Sequence, residues 1–407
     1  MQRALADAEL SELVTSRPLH VIAVGKAAAG MAAAFVAVPH LSIRRALAIG
    51  THRHEPMPAA IDWVPSSHPL PDDRSEAAAE RAMAVAQGVH SGEVLLILLS
   101  GGASALMASP LEGITLADKI GTTRIMMNAG ADIHALNTVR RHLSKVKGGR
   151  LAAACVGTTV TLAISDVVGD DLNAIGSGPG VPDPTTWPDA AQALERFGGS
   201  VHPEHVRALI RKGVDGDIPD TPKPGHAALA RARARVIGSR RDAMAGAEAA
   251  AFERGYHPIV VADAVVGEAR DVAPRWLEQV RAASSNTARP VCVISSGETT
   301  VRVTGRGTGG RNLEFALAIA ELMPVMPGIA AAASIGTDGI DGTSNVAGAI
   351  VDSGTMARAR AAGLESPSHY LAANDSFAFF ASLDDVIRLG RTETNVGDLQ
   401  VIVIEQG

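Results

Sequence analysis

Residues 94–106 read Val-Leu-Leu-Ile-Leu-Leu-Ser-Gly-Gly-Ala-Ser-Ala-Leu: six aliphatic residues, a serine, two glycines and then small helix formers. An unbroken aliphatic run offers no polar face, so it reads as a strand buried on both sides, the habit of parallel sheets covered by helices. The glycine pair supplies a turn, and Ala103 onward opens a helix. This is the strand–turn–helix unit of βαβ architecture, in which ligands bind beyond the carboxyl ends of the strands. Two glycines followed by small residues let backbone N–H groups approach an anion closely. A purely steric turn is the alternative, because tight strand-to-helix turns use glycine as well.

The same grammar recurs along the chain. Strands are expected at Val21–Val24, Thr159–Ile164, Val236–Gly238 with Ile259–Ala262, Val291–Ser295 and Ala331–Ile335, followed in turn by GKAAAG, SDVVGDD, ADAVVGEA, SGETTVRVTG and GTDGIDG. A helix is expected from Arg240 to Arg254. Apolar residues make up 46% of the chain and aromatics only 3%, so the core is built from Ala, Val, Leu and Ile. At 407 residues the chain exceeds one ordinary domain. Segments 213–226 and 283–290, rich in Pro, Gly, Asp or Ser, read as connectors. The expectation is an α/β protein of two α/β domains with mainly parallel sheets, spanning 1–235 and 236–407, the boundary lying between 213 and 290.

Composition excludes several classes. A net charge of -6 with no long Lys/Arg block argues against nucleic-acid or anionic-membrane partners and favours a small molecule. Cys155 and Cys292, the two cysteines, lie in no CxxC or Cys/His cluster and read as buried thiols. The 13 histidines never pair as H-x-x-x-H or H-E-x-x-H, which argues against catalytic zinc. There is no G-x-S-x-G elbow, no Walker A loop and no G-x-G-x-x-G after an early strand. The opening MQRALADAELSELV has acids among its apolar residues and no hydrophobic signal core, and the longest apolar region, residues 315–335, contains Glu321, Pro324 and Pro327. A soluble, cytoplasmic protein is expected.

Several loops carry candidate chemistry. In GKAAAG, Lys26 stands at a strand's carboxyl end, where a compact cation suits phosphate charge or a developing negative oxygen; a solvated helix-start lysine is the alternative. In NTVRRHLSKVKGGR, residues 137–150, Val139, Leu143 and Val146 keep helical spacing. The surrounding Arg140, Arg141, Lys145, Lys147 and Arg150 read mostly as solvated cations near a helix C-terminus, with one or two able to reach nucleotide phosphates. In SDVVGDD, Asp166 is the carboxylate nearest the strand end and the expected Mg2+ ligand, since Mg2+ takes one or two carboxylates and keeps waters. Asp170 and Asp171 read equally well as helix caps. In the C-terminal half, Glu298 follows a strand, and Gly309-Gly310-Arg311 opens an apolar helix whose arginine can fork onto carboxylate or phosphate oxygens. A second acidic, glycine-rich loop runs from Gly336 to Asn345, without the ligand pattern of an EF-hand.

Taken together, these loops resemble the glycerate 2-kinases whose C-terminal half is the MOFRL domain, a family often labelled hydroxypyruvate reductase. The strings that carry the resemblance include VGKAAAGMA, SSHPLPDDRS, LLSGGASALMASP, GITLADK, NTVRRHLSKVKGGRLA, ISDVVGDDLNAIGSGPGVPDPTT, SSGETTVRVTGRGTGGRNLEFAL, SIGTDGIDGTSNVAGAIVD and NDSFAFF. The resemblance implies a Rossmann-like N-terminal domain and an active site in the interdomain cleft. It implies ATP-dependent phosphorylation of D-glycerate at the 2-hydroxyl, with Mg2+ as cofactor, and makes Lys26 and Arg311 the catalytic residues. The expected nucleotide- and substrate-binding set is Ser100, Gly101, Gly102, Ser104, Lys147, Ser177, Gly178, Glu298, Gly309, Gly310, Asp338, Asp341, Asn345 and Asn395. The alternatives are an NAD(P)H-dependent hydroxypyruvate reductase and a non-catalytic sugar-acid or nucleotide-binding protein. The sequence leaves oligomeric state open, a homodimer being the working expectation. One motif departs from the family: LGRTETNVGDL places Arg391 and Glu393 where a proline and a glycine are usual.

Overall fold

A computed structural model describes residues 8–52 and 56–406; part of the opening stretch MQRALADAELSELV, residues 1–7, lies outside the described residues. The chain forms two compact units. One comprises the described residues up to Ser165 together with Gly169–Ile237, the other Asp166–Val168 together with the described residues from Gly238 on.

The first unit is built on six strands: β1 (Leu19–Val24), β2 (Ile43–Gly50), β3 (Ile61–Pro65), β4 (Val94–Leu99), β5 (Thr158–Ile164) and β6 (Ala232–Gly238). Their order is β3-β2-β1-β4-β5-β6, and the pairings from β3 across to β5 are parallel. Every residue of β4 is buried, as its uninterrupted aliphatic run requires. The chain moves outward from β1 to β2 and β3, then returns to the other side of β1 with β4. That reversal is the topological switch point of doubly wound sheets. Leu19, Val21, Phe35, Leu96 and Leu98 are among the residues of the core on this sheet, each large aliphatic contributing about 1.5–3 kcal/mol when fully buried. A second cluster gathers around Trp187 from the helices Leu116–Asn128, Ile133–His142, Trp187–Arg196 and Glu204–Val214.

The second unit holds β7 (His257–Val260), β8 (Val265–Glu268), β9 (Val291–Thr300), β10 (Ile329–Gly336), β11 (Gly348–Asp352), β12 (Val386–Ile387) and β13 (Asp398–Glu405). The strands run β12-β11-β10-β13-β9-β7, with β8 also paired to β9. The expectation of mainly parallel sheets is corrected here. The pairings from β12 through to β9 are antiparallel, and only β7 and β8 run parallel to β9. The reason lies in patterning. Residues of β10 and β13 alternate between fully buried and half-buried, the signature of a sheet with two unequal faces. In β10 that alternation is written in alanine, and in β13 in a run of aliphatics, neither of which marks a face in the sequence. The expected 240–254 helix is Arg240–Glu253, started by a Ser239–Asp242 capping box. Trp276, Phe315, Phe379, Phe380 and Ile402 belong to this unit's core. No helix among the described residues is long and apolar enough to cross a membrane.

Candidate active site

In the first unit β1 and β4 run in register up to Val24 and Leu99, so the loops after them start side by side. The two turns interlock. The Ser100 N–H donates to the Val24 carbonyl at 3.0 Å, the Lys26 N–H to the Gly101 carbonyl at 2.9 Å, and the Ala27 N–H to Ser100 Oγ at 3.1 Å. Gly25 has φ +131, and a Cβ on it would lie 2.1 Å from Ser100 Oγ, so the interlock requires glycine at this position. Lys26 is left exposed at the joint. A Cβ on Gly102 would lie 3.0 Å from the His68 ring and 3.4 Å from Lys26 Cγ, which puts these three residues around one small space. Ser100, expected among the binding residues, also has a structural part in this loop. Its side chain is wholly buried and its hydroxyl holds the Ala27 N–H, the arrangement of a strut within the loop.

Ser104, Lys147 and Ser177 come together. Lys147 Nζ donates to the Ser104 carbonyl at 2.9 Å, to Ser104 Oγ at 3.0 Å and to the Gly176 carbonyl at 3.4 Å. Ser104 Oγ is 3.0 Å from Ser177 Oγ, whose hydroxyl donates to Asn137 Oδ1 at 2.9 Å. The Gly178 carbonyl accepts from the Gly149 N–H at 2.8 Å, which ties the 176–180 stretch to the glycine turn after Lys147. Burial, reinforced by the charges of Lys119 and Arg140, holds Lys147 well below the usual lysine range. The reading of the 137–150 cations as mostly solvated is corrected. The helix ends at His142, and the chain beyond it folds inward. Arg141 is buried with Nε 2.9 Å from Asp183 Oδ1, Lys147 is buried, and Lys145 is the one cation of the five that is exposed.

Lys119 escapes sequence reasoning. It sits in the helix Leu116–Asn128, started by a Thr115–Asp118 capping box. Its side chain is buried and its Nζ has no hydrogen-bond partner among the described residues. With Arg140 and Lys147 it lines a cavity of about 560 Å³ that Gly102 and His68 also border. Burial, and then the Arg140 charge, push Lys119 down to about 7, with Glu76 acting in the opposite direction. Burial likewise lowers Arg140. In the sequence an Asp-Lys pair early in a capped helix reads as an ordinary exposed face; no local pattern marks Lys119.

In the second unit Arg311 opens the helix Arg311–Ile319. Gly310 precedes it so closely packed that a Cβ would stand 2.4 Å from the Asp341 carboxyl carbon. Asp341, also expected among the binding residues, has a structural part here. Its buried carboxylate accepts from the Asn312 and Leu313 N–H groups at 3.1 and 2.8 Å and from Asn312 Nδ2 at 3.2 Å, closing the helix start. Arg311 is clamped: Nε donates to Asp398 Oδ1 at 3.0 Å, with Oδ2 of the same carboxylate 2.7 Å away, and Nη1 donates to Glu298 Oε1 at 2.9 Å. The sequence reading offers the whole guanidinium fork to a ligand. Two of its nitrogens are held by carboxylates, and Nη2 makes no hydrogen bond with the described residues. Burial opposes the charge on Arg311, but Asp398 and Glu298 outweigh it and keep the guanidinium above its usual range. Burial pushes Asp398 up to about 6 against the pull of Arg311. Asp398, the buried partner at the head of β13, has no signal in the sequence.

Around this clamp, Asp338 Oδ1 accepts from the Ile340 N–H at 3.2 Å, and the Gly309 carbonyl accepts from the Thr343 N–H at 3.0 Å. Asn345 is exposed. Asn395 Nδ2 donates to Asp166 Oδ2 at 2.9 Å, and Asn395 Oδ1 accepts from the Gly397 N–H at 3.2 Å. Glu393 has φ +56, the left-handed conformation a glycine takes without strain. Among the described residues no group of three or more His, Cys, Asp or Glu is arranged to hold a metal ion.

Fold and loops define a two-unit α/β protein of the MOFRL class. The MOFRL family matches residues 291–398, and a family described as a domain of unknown function, DUF4147, matches residues 1–211. A D-glycerate 2-kinase of Thermotoga maritima is 35% identical over 94% of this chain and 90% of its own length. A protein of Agrobacterium vitis that carries the name putative hydroxypyruvate reductase is 39% identical over 94% of this chain and 86% of its own. The crystal structure of a glycerate kinase from Thermotoga maritima superposes with a TM-score of 0.86 at 33% identity, covering 99% of this chain and 94% of that one. The chain belongs to the glycerate 2-kinase family.

Proposed function

We propose that this protein phosphorylates D-glycerate at its 2-hydroxyl with ATP, giving 2-phosphoglycerate and ADP. The observation that carries the reading is the interlock of the Lys26 and Ser100–Ser104 loops at the switch point of the first unit's sheet. Glycerate kinase relatives of comparable length support it. In the reaction a bond forms between the glycerate 2-oxygen and the γ-phosphorus, the bond to the β-γ bridging oxygen breaks, and the hydroxyl proton leaves. Such transfer is mostly positioning and neutralisation of charge. Lys26 is assigned to the transferring phosphoryl group or the attacking oxygen, and Arg311, held in aim by Glu298 and Asp398, to the glycerate carboxylate or the γ-phosphate.

A single carboxylate at Asp166, fixed by Asn395, fits the habit of Mg2+ of taking one or two carboxylates and filling its remaining positions with phosphate and water. When bound, Mg2+ supplies neutralisation of phosphate charge. Asp166→Asn is expected to lower turnover and raise the Mg2+ concentration needed for half-maximal rate; unchanged values for both assign the metal to another acid.

The test of function incubates the purified chain with D-glycerate, ATP and Mg2+, and in parallel with hydroxypyruvate and NADH. ADP formation without NADH consumption is expected, with phosphorus NMR identifying the 2-phosphate. NADH oxidation without ADP formation overturns the kinase reading in favour of the reductase name carried by the Agrobacterium vitis relative.

A further inference from the structure

The cavity beside Gly102 has a feature that the glycine loops do not explain. Four cationic residues, Lys119, Arg124, Arg140 and Lys147, line it, and the Nζ of Lys119 is buried with no hydrogen-bond partner among the described residues. Removing an ammonium from water without a partner is costly. Glu76 favours the charged form of Lys119, but burial and the Arg140 charge both outrank it. An arrangement of this kind is unfavourable in the free protein and becomes favourable once an anion enters.

Size and wall chemistry narrow the anion. The cavity measures about 560 Å³, in the range of pockets that enclose whole cofactors, and a three-carbon acid would leave most of it to solvent. Leu70 and Met127, 65% and 57% exposed, line it together with Ile120. Large apolar side chains left in water at a cavity mouth suit the flat face of a base. Gly102 and His68 border both this cavity and Lys26.

We propose that this cavity seats the nucleoside triphosphate, with Lys119, Arg140 and Lys147 around the phosphate chain, Leu70, Ile120 and Met127 against the base, and the terminal phosphate toward Lys26. The assignment rests on the kinase reading and adds to it a binding residue, Lys119, together with a direction for the nucleotide.

The experiment is isothermal titration of the full-length protein, Mg2+ present, with ATP, inorganic tripolyphosphate and D-glycerate in separate runs, for wild type, Lys119→Met and Ile120→Trp, alongside steady-state kinetics. Wild type is expected to bind ATP and tripolyphosphate. Lys119→Met should weaken both about 10- to 100-fold, the scale of one charged contact, raise KM for ATP and leave the affinity for D-glycerate unchanged. Ile120→Trp, filling the apolar end, should weaken ATP while sparing tripolyphosphate, and its thermal melt reports that it is folded. The proposal is overturned if Lys119→Met binds ATP as wild type does, if it loses D-glycerate instead, or if wild type ignores tripolyphosphate. Kinase turnover by wild type with an unchanged KM for ATP in Lys119→Met overturns the cavity assignment alone. Lys119-dependent ATP binding without ADP formation from glycerate supports the cavity and overturns the kinase reading alone.

Discussion

The cations of the two units are treated in opposite ways. In the first, Lys119 lies in a largely apolar cavity with no hydrogen-bond partner among the described residues, next to Arg140 and Lys147. In the second, Arg311 is gripped by Asp398 and Glu298 before any ligand arrives. A buried charge without a partner is held ready for an incoming opposite charge, at a cost to stability. A charge with two carboxylates is fixed in direction and costs the fold less, because breaking a buried pair is what destabilises. The first arrangement suits affinity; the second suits aim.

The contrast breaks most visibly at the two assigned catalytic residues. Lys26→Ala and Arg311→Ala should each lower kcat about 100- to 1,000-fold, roughly 2.7–4 kcal/mol, in proteins whose circular dichroism is unchanged. Arg311→Lys should rescue poorly, since one ammonium cannot satisfy Asp398 and Glu298 and still reach a ligand. Retention by Lys26→Ala of more than about a tenth of wild-type turnover makes Lys26 a surface charge.

Asp398 tests whether aim matters. Asp398→Asn keeps the shape and removes the charge, and should cost about 10- to 100-fold in kcat, the range of a charged hydrogen bond. It should also remove an acid limb from the pH profile. Wild-type Asp398 has a pKa of about 6 in the fold, so its charge, and with it the grip on Arg311, is lost as pH falls through that value. A profile flat between about pH 5 and 8 in wild type, spanning that pKa, contradicts this account.

Lys119 should behave in the reverse sense for stability. Its folded pKa of about 7 lies below the ordinary lysine value of 10.5, so between these limits the unfolded chain binds the extra proton, and the fold loses stability as pH falls across that window. Lys119→Met is therefore expected to melt higher than wild type at neutral pH. A gain of about 1–4 kcal/mol, as seen when buried charges are replaced by apolar groups, corresponds to about 2–8 °C. Its melting point should also depend less on pH between about 7 and 10.5. A lower melting point in Lys119→Met would show that its nitrogen is already stabilised in the free protein.

The smallest effect is expected at Glu393. Its φ of +56 is the conformation in which a side chain is strained and glycine is not. Glu393→Gly should raise stability by about 1 kcal/mol or less, measured by denaturant midpoint, and leave KM for both substrates unchanged.

How far the sequence could be read depended on whether a residue's role was local. The strand Val94–Leu99 was legible to the residue, because an all-aliphatic run ending in Ser-Gly-Gly admits few other structures. The helix at 240–253 was legible from its alanine content. The antiparallel half of the second sheet was not, since Ala330–Ala333 and Val401–Ile404 do not show which face is buried. The loops that carry Lys26 and Arg311 announced themselves through glycine and charge at strand or helix ends. Lys119 and Asp398 did not, because what distinguishes each is the company it keeps across the fold. Asp341 adds a structural role the sequence did not signal: its carboxylate closes the start of a helix.

The hydrogen bond between Asp166 and Asn395 bears on modularity. Asp166 falls within the 1–211 segment that one family describes, yet it packs in the unit that contains the MOFRL segment 291–398. The two segments are therefore not interchangeable cassettes. A MOFRL half moved to another host, or expressed by itself, would leave Asn395 without the acid that holds it, and a gene fusion that shuffled the halves would have to keep a compatible acid after the fifth strand of its new neighbour.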